Sequence, residues 1–228
     1  MSASALTISA ERTGGFYAAP IGKKAVMAAT GVILFAYVLA HLFGNLQIYI
    51  GRGQINRYAE FLHSMPGPLW VARIVLLTAV GLHAITSLQL WLLKRKARPI
   101  DYVKAARVPP GYASRTMLWT GPLIAIFVFY HVLHLTTGSI GLPYLPLDAY
   151  DNVVNGFRIP AVAISYIAFM LVLCLHLYHG LWSMFQSVGI SHPRYTPLIK
   201  RLAAGFAIFI AAGNISIPVA VLTGLVGN

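Results

Sequence analysis

Histidine is the residue type in this chain that is best placed to do chemistry. Six of the eight histidines lie inside long apolar segments, namely His41, His83, His131, His134, His176 and His179. An ionisable ring is expensive to place in hydrocarbon, so a histidine in a membrane segment indicates a functional site. A single one is commonly an interface residue bonded to a neighbouring carbonyl, but here four segments each carry at least one. This pattern favours a shared role in binding metal or moving protons.

The composition is that of a membrane protein. The 228 residues are 58% hydrophobic and only 10% charged, with a mean hydropathy of +0.72, whereas soluble domains average about 25% charged. We predict an all-α integral membrane bundle that occupies residues 1–228 as one domain. The single cysteine, Cys174, lies in an apolar segment, and the sequence has no Cys-x-x-Cys-His motif, which excludes covalently attached c-type haem.

Five segments are apolar over the roughly 20 residues that a transmembrane helix needs. They are predicted at about 25–50, 68–93, 116–138, 158–187 and 200–226. The first is too long for the apolar part of a signal peptide and no clear cleavage site follows it, so we expect it to be retained. Residues typical of turns separate the segments, and no internal repeat is evident.

Basic residues predict the orientation of this bundle. Of the 17 lysines and arginines, 13 lie in the N-terminal segment and around the connections after the second and fourth spans. The positive-inside rule then places the N-terminus in the cytoplasm and the C-terminus outside. A basic face also suits anionic lipid headgroups or an acidic protein partner, and we expect no nucleic acid to bind.

Depth along the predicted helices sorts four of the histidines into two pairs. At 1.5 Å per residue, His41 and His131 lie about 24–26 Å from the basic end of their spans, whereas His83 and His176 lie roughly 16–18 Å from it. The first span is thereby matched with the third, and the second with the fourth. Two facing histidine pairs at two depths are the layout of two bis-histidine haems in a helical bundle.

Other metal centres fit this pattern less well. Structural zinc needs four converging ligands and catalytic zinc three with an open position. Non-haem iron sites in bundles need carboxylates that point inward, and the only glutamates, Glu11 and Glu60, lie outside the predicted spans. Haem is therefore the preferred interpretation.

Short motifs in nearly every part of the chain resemble those of one family. They are Gly-Lys-Lys at 22–24, Thr30-Gly31, His41-Leu-Phe-Gly-Asn45, Tyr58-Ala-Glu-Phe-Leu62, Ser64-Met-Pro66, Ala113-Ser-Arg115, Thr120-Gly121, His176-x-x-His179-Gly-Leu-Trp-Ser183 and Gln186-Ser-Val-Gly189. In their order and spacing the chain resembles the cytochrome b membrane-anchor subunit of succinate dehydrogenase and fumarate reductase, in the five-helix type with two haems b.

The resemblance implies that His41 and His131 bind the iron of the outer, distal haem, and His83 and His176 that of the inner, proximal haem. His134 and His179 each lie three residues from a proposed ligand, on nearly the same helix face, and either would ligate if the register were shifted. The candidates for bonding a haem propionate or supporting a ligand are Lys24, Arg73, Arg115, His134 and His179.

The resemblance also implies the function. Such a subunit passes electrons from an iron–sulphur subunit through two haems b to a quinone, here expected to be menaquinone, in the bacterial cytoplasmic membrane. FAD and iron–sulphur clusters belong only to the partner flavoprotein and iron–sulphur subunits, since this chain has neither a dinucleotide fingerprint nor a cysteine set for a cluster. A higher oligomer of the complex is left open.

Quinone reduction needs a protonatable group beside an apolar slot. Glu60 and His63, in the first outer connection, are the candidates for this role, and the alternative for Glu60 is a solvated residue paired with Arg57. Three other functions stay open: a haem b anchor of a hydrogenase or formate dehydrogenase, a haem-free transporter with a histidine relay, and an anchor that has lost its cofactors.

Overall fold

The structure is a computed structural model that describes residues 15–97, 112–141 and 144–228. These residues form seven α-helices and no strand: α1 Pro20–Asn45, α2 Arg52–His63, α3 Pro66–Lys96, α4 Tyr112–Leu135, α5 Ala149–Phe157, α6 Pro160–Ser187 and α7 Thr196–Leu222. The long helices α1, α3, α4, α6 and α7 are each apolar enough to cross a membrane. For the described residues, this confirms the prediction of an all-α fold with five helices long and apolar enough to cross a membrane. The connection at 98–111 lies outside the described residues.

Prolines mark where several long helices begin. Pro20, Pro66 and Pro160 are the first residues of α1, α3 and α6, a position where the missing N–H has no helical partner to lose. The first span was predicted to continue to residue 50, but its α-helix ends at Asn45 and a 3-10 turn, Leu46–Tyr49, follows. Hydropathy locates the membrane-embedded part of a helix and not its capped ends.

The two short helices, α2 and α5, lie outside the five spans. Ile55 of α2 and Val154 and Phe157 of α5 are buried, while the other faces of these helices carry polar residues. Gly51 precedes α2, and its φ of 127° suits glycine. Arg52 already begins α2. Both helices cover one end of the bundle.

The long helices pack as two antiparallel pairs that contact each other through α1 and α6, and α7 packs against both of these helices. Helix α1 packs along α3, α4 packs along α6, and α7 packs chiefly against α6 and also contacts α1. We call the end where α1, α4 and α7 begin the basic end. The opposite end, where α2 and α5 lie, is the capped end. The main apolar core lies toward the capped end, where Phe157, Tyr166 and Ile217 belong to one buried cluster.

Candidate functional site

The first histidine pair joins α1 to α4. The ring centroids of His41 and His131 are 5.7 Å apart, with the ring planes at 88°. Within the described chain α1 and α4 do not pack along each other, so the two rings meet in the space between the helix pairs. Aromatic rings surround them: Tyr37 stacks on His41 at 5.5 Å, and Phe127 lies 5.9 Å from His131.

The second pair joins α3 to α6. The ring centroids of His83 and His176 are 6.4 Å apart, with the planes at 61°. These two helices likewise do not pack along each other in the part of the chain that the structure describes. Each helix pair therefore contributes one histidine to each of two meeting points.

The two meeting points lie at different depths. On α1, Thr30 contacts His83, and His41 follows Thr30 by 11 residues. On α4, Thr120 contacts His176, and His131 follows Thr120 by the same number. At 1.5 Å per residue both intervals correspond to about 16 Å. We call the His41–His131 site the capped-end level and the His83–His176 site the basic-end level.

Two of the paired histidines also contact a threonine, which the sequence pattern alone did not indicate. Thr30 Oγ1 lies 3.0 Å from His83 Nδ1, and Thr120 Oγ1 lies 3.2 Å from His176 Nδ1. Both threonines are buried. A hydrogen bond at one ring nitrogen fixes which nitrogen is left to bind a metal. The signal that could have revealed them is their equal spacing from His41 and His131.

The separation of each pair suits a metal between its two rings. Metal–imidazole bonds of about 2 Å on either side of one ion place the facing nitrogens about 4 Å and the ring centroids about 6 Å apart. The observed 5.7 and 6.4 Å are of this size. Two imidazoles are also the protein ligands of a bis-histidine haem, whose macrocycle supplies the remaining bonds to iron. Within the described residues no group of three or more His, Cys, Asp or Glu could hold a metal ion.

One buried nitrogen at the capped-end level lacks a hydrogen bond. His131 Nδ1 has no partner among the described residues. An unpaired buried polar atom costs roughly 1–3 kcal/mol. The protein alone therefore leaves this ring incompletely satisfied, which is consistent with a further group binding here.

His134 has a protein partner of its own. Its Nδ1 lies 2.9 Å from the hydroxyl of Tyr166, and the side chain is 8% exposed. A Cβ at Gly156 of α5 would lie only 2.8 Å from His134 Cε1, so this glycine is what lets α5 approach the ring. These contacts place His134 between α4, α5 and α6.

His179 lies on α6 beyond His176, toward the basic end. Its ring meets the edge of Trp182 at a centroid distance of 5.1 Å, and Lys200 Nζ lies 4.6 Å from the Trp182 ring. His179 Nδ1 is buried and unpartnered among the described residues. Trp182 thus contacts His179 within α6 and Lys200 of α7.

Glu60 and His63 lie on α2 at the capped end, and both are exposed. His63 Nδ1 lies 2.8 Å from the Ala59 carbonyl of its own helix. Arg57 donates a hydrogen bond of 2.9 Å to Gln54. Tyr58, two residues before Glu60, packs so closely on Gly44 that a Cβ there would lie 2.7 Å from its ring. Gly44 is one turn beyond His41, so α2 is anchored beside the capped-end level.

Two of the three basic candidates lie near the ends of spans, and the third, Arg73, lies inside α3. Lys24 and Arg115 are exposed at the basic end, near the starts of α1 and α4. Arg73 is half-buried on α3, with its guanidinium 5.1 Å from the Trp70 ring. It precedes His83 by ten residues, or about 15 Å, which brings it near the depth of the capped-end level.

Comparison with known proteins adds no relative. No family model matches the chain, and neither a curated protein nor a solved structure matches it significantly.

Proposed function

We propose that this chain is the membrane-anchor, electron-transfer subunit of a succinate:quinone oxidoreductase and that it holds two haems b. The observation that carries the proposal is the pair of facing imidazole sites, at two depths, between helices that do not otherwise pack. The sequence resemblance supports the choice of enzyme.

Four histidines would hold the cofactors. His41 and His131 would bind one haem iron at the capped-end level, and His83 and His176 the other at the basic-end level. When bound, haem b supplies one-electron transfer, here between an iron–sulphur partner and a quinone. The protein's own part is to hold neutral imidazoles at fixed depths and to exclude water with rings such as Phe127.

The basic end is the proposed docking face for the soluble partners. Lys94, Arg95 and Lys96 are exposed in the last turn of α3, and Arg201 is exposed near the start of α7. A face with this charge attracts acidic protein surfaces and anionic headgroups. An iron–sulphur subunit, with a flavoprotein subunit behind it, would bind here on the cytoplasmic side of a bacterial membrane.

The proposed quinone site lies at the capped end beside α2. Glu60 is exposed there, and Tyr58 fixes its helix against α1 close to His41. A carboxylate at the membrane boundary can take protons from water and deliver them to a quinone, with His63 as a second proton carrier. Menaquinone is the expected substrate of this site.

The test is purification of the complex from its native membrane through a tag on this chain. We expect a sharp α band in the reduced spectrum, two haems per chain, covalent or bound flavin on a co-purifying subunit, and succinate-dependent quinone reduction. Haem with hydrogen or formate as the donor would instead support an anchor of those enzymes. Absence of any haem band would overturn the proposal and favour a transporter or an empty anchor.

A further inference from the structure

A short motif occurs twice in the chain. Threonine and glycine are followed, after nine residues, by histidine, once from Thr30 to His41 and once from Thr120 to His131. No internal repeat is evident from the overall sequence, because only four of the twelve positions in the two copies are identical: the threonine, the glycine, the histidine and one valine, Val38 or Val128. In the structure the two copies lie on α1 and α4, which hold equivalent places in the two helix pairs.

Each copy serves both levels. Its histidine belongs to the capped-end level, and its threonine bonds the histidine of the antiparallel neighbour at the basic-end level. The glycine lies beside that same neighbour: a Cβ at Gly31 would be 3.6 Å from His83 Cε1, and one at Gly121 would be 4.0 Å from His176 Cε1. The motif thus brings helix backbone and a hydroxyl to one edge of each basic-end ring.

The hydrogen-bond partners of Thr30 assign the proton on His83. A hydroxyl has one hydrogen, and Thr30 Oγ1 lies 2.8 Å from the Val26 carbonyl and 3.1 Å from that of Met27. A buried threonine in a helix commonly donates to such a carbonyl. It then accepts a hydrogen bond from His83 Nδ1–H, and the lone pair is left on Nε2. Thr120, which contacts the Met117 carbonyl at 3.4 Å, acts on His176 in the same way.

We infer that Thr30 and Thr120 are positioning residues that hold His83 and His176 with Nδ1 protonated, so that Nε2 of each ring would be free to bind a haem iron. This inference rests on the proposed haem function. Donation from Nδ1–H raises the basicity of a ligating imidazole, which stabilises ferric iron and lowers the reduction potential. At the basic-end level both rings have a threonine partner at Nδ1. At the capped-end level His131 Nδ1 has no partner in the described chain.

The test compares Thr30→Val, Thr30→Ser and the same changes at Thr120 in the purified complex. Valine keeps the shape and removes the hydroxyl. We expect each valine variant to raise the midpoint potential and shift the ferric EPR signal of one haem only. That haem should also be bound about 10- to 100-fold more weakly. Serine should restore wild-type behaviour at both positions.

Thr86→Val is the matched control. Thr86 is a buried threonine on α3, three residues from His83, and its hydroxyl lies 3.1 Å from that of Tyr17. The Thr86→Val variant should leave the signals of both haems unchanged. Unchanged potentials and EPR signals in both the Thr30 and Thr120 valine variants would overturn this inference while leaving the proposed function intact. A wild-type complex without haem would overturn the proposed function and this inference with it.

Discussion

A histidine in the bilayer interior is stable when it is neutral and its nitrogens are engaged. His83, His134 and His176 each have one nitrogen bonded to a hydroxyl. The six membrane histidines all lie in similar apolar segments of the sequence, but the structure gives them different neighbours. Four of them form the facing pairs, and His134 and His179 have neighbours of their own.

Removing a paired histidine should remove one haem and leave the other. His83→Ala or His176→Ala leaves iron at the basic-end level with a single protein ligand in an enlarged cavity, so haem content should fall from two per chain to one. His41→Ala or His131→Ala should do the same at the capped-end level, with the complementary spectral component lost. Haem content is measured by pyridine haemochrome, and the components are separated by redox titration.

His179→Ala is the control for these variants, since its ring packs on Trp182 and lies outside both pairs. It should retain two haems. Four paired-histidine variants that all kept two haems with unchanged spectra would show that the ligands lie elsewhere, and His134 would then be the next residue to replace.

Glu60→Gln keeps the size of the side chain but cannot ionise, so it should slow quinone reduction while both haems stay bound. Succinate oxidation by an artificial acceptor that takes electrons before the haems should be unaffected. Arg57→Gln, on the same helix, serves as the control. Quinone reductase activity equal to wild type would make Glu60 only a solvated residue of α2 and direct the search for the quinone site to the basic end, near Arg115.

At the scale of elements, the sequence predicted the five long apolar helices but not the short helices α2 and α5. A long helix in lipid must be apolar over its whole length, which a hydropathy pattern detects directly. Helices α2 and α5 bury only one narrow face, as Ile55 and Val154 illustrate. Their positions depend on contacts between distant parts of the chain, which no local pattern contains.

In the candidate site, too, the features that follow from position along a helix were predictable, and those that depend on packing between helices were not. Counting residues from the basic end matched His41 with His131 and His83 with His176, because helical rise converts sequence position into depth. The structure brings those rings together, and their role as ligands stays a prediction. Thr30 and Thr120 were missed because a threonine in a membrane helix commonly bonds its own backbone, and only the packing reveals a second partner.

One ionic cluster holds α2 to α5. Arg52 lies 2.5 Å from Asp148 and 2.7 Å from Asp151, and Asn56 donates to Asp148 at 3.0 Å. Asp148 also caps α5 by accepting a hydrogen bond from the Asp151 backbone. Burial raises the pKa of Asp148, but the hydrogen bonds from Asp151, Asn56 and Arg52, with the charge of Arg52, outweigh it, and the net pKa is lowered.

Because the folded-state pKa of Asp148 is lowered, its contribution to stability is present above the unfolded value of about 3.9 and is lost as pH falls through the folded value. Asp148→Ala should therefore destabilise the protein by about 1 kcal/mol at neutral pH, the usual effect of losing a helix cap. The difference should shrink below about pH 4. Thermal unfolding in detergent at several pH values measures this, and a difference independent of pH would contradict it.

At the scale of the whole molecule, charge asymmetry determines the proposed orientation. Thirteen of the 17 basic residues belong to the N-terminal segment and the two connections that the sequence predicts on one face, and three of them, Lys94, Arg95 and Lys96, are exposed at the basic end of the structure. Arg98, Lys104 and Arg107 belong to the same predicted connection but lie outside the described residues. The capped end carries the Arg52 cluster, in which acidic partners offset the charge.

A reporter fused after Asn228 should be active only outside the cytoplasm, and one inserted near Lys104 only inside, because the positive-inside rule retains the basic connections in the cytoplasm. Paired reporters, one active on each side of the membrane, distinguish the two positions. The reverse pattern would place the basic end outside and would remove it as a docking face for cytoplasmic partners.

The division of each histidine pair between the two helix pairs has a consequence for biogenesis. The chain is made from its N-terminus at about 5–20 residues per second, so α1 and α3, with His41 and His83, are synthesised before either partner histidine. The capped-end level becomes complete only with α4, and the basic-end level only with α6. The proposed haems would therefore find a complete pair of histidines only after α4 or α6 had been made. Each haem would join an early half of the protein to a late one, so its arrival would act as a checkpoint that a truncated chain cannot pass.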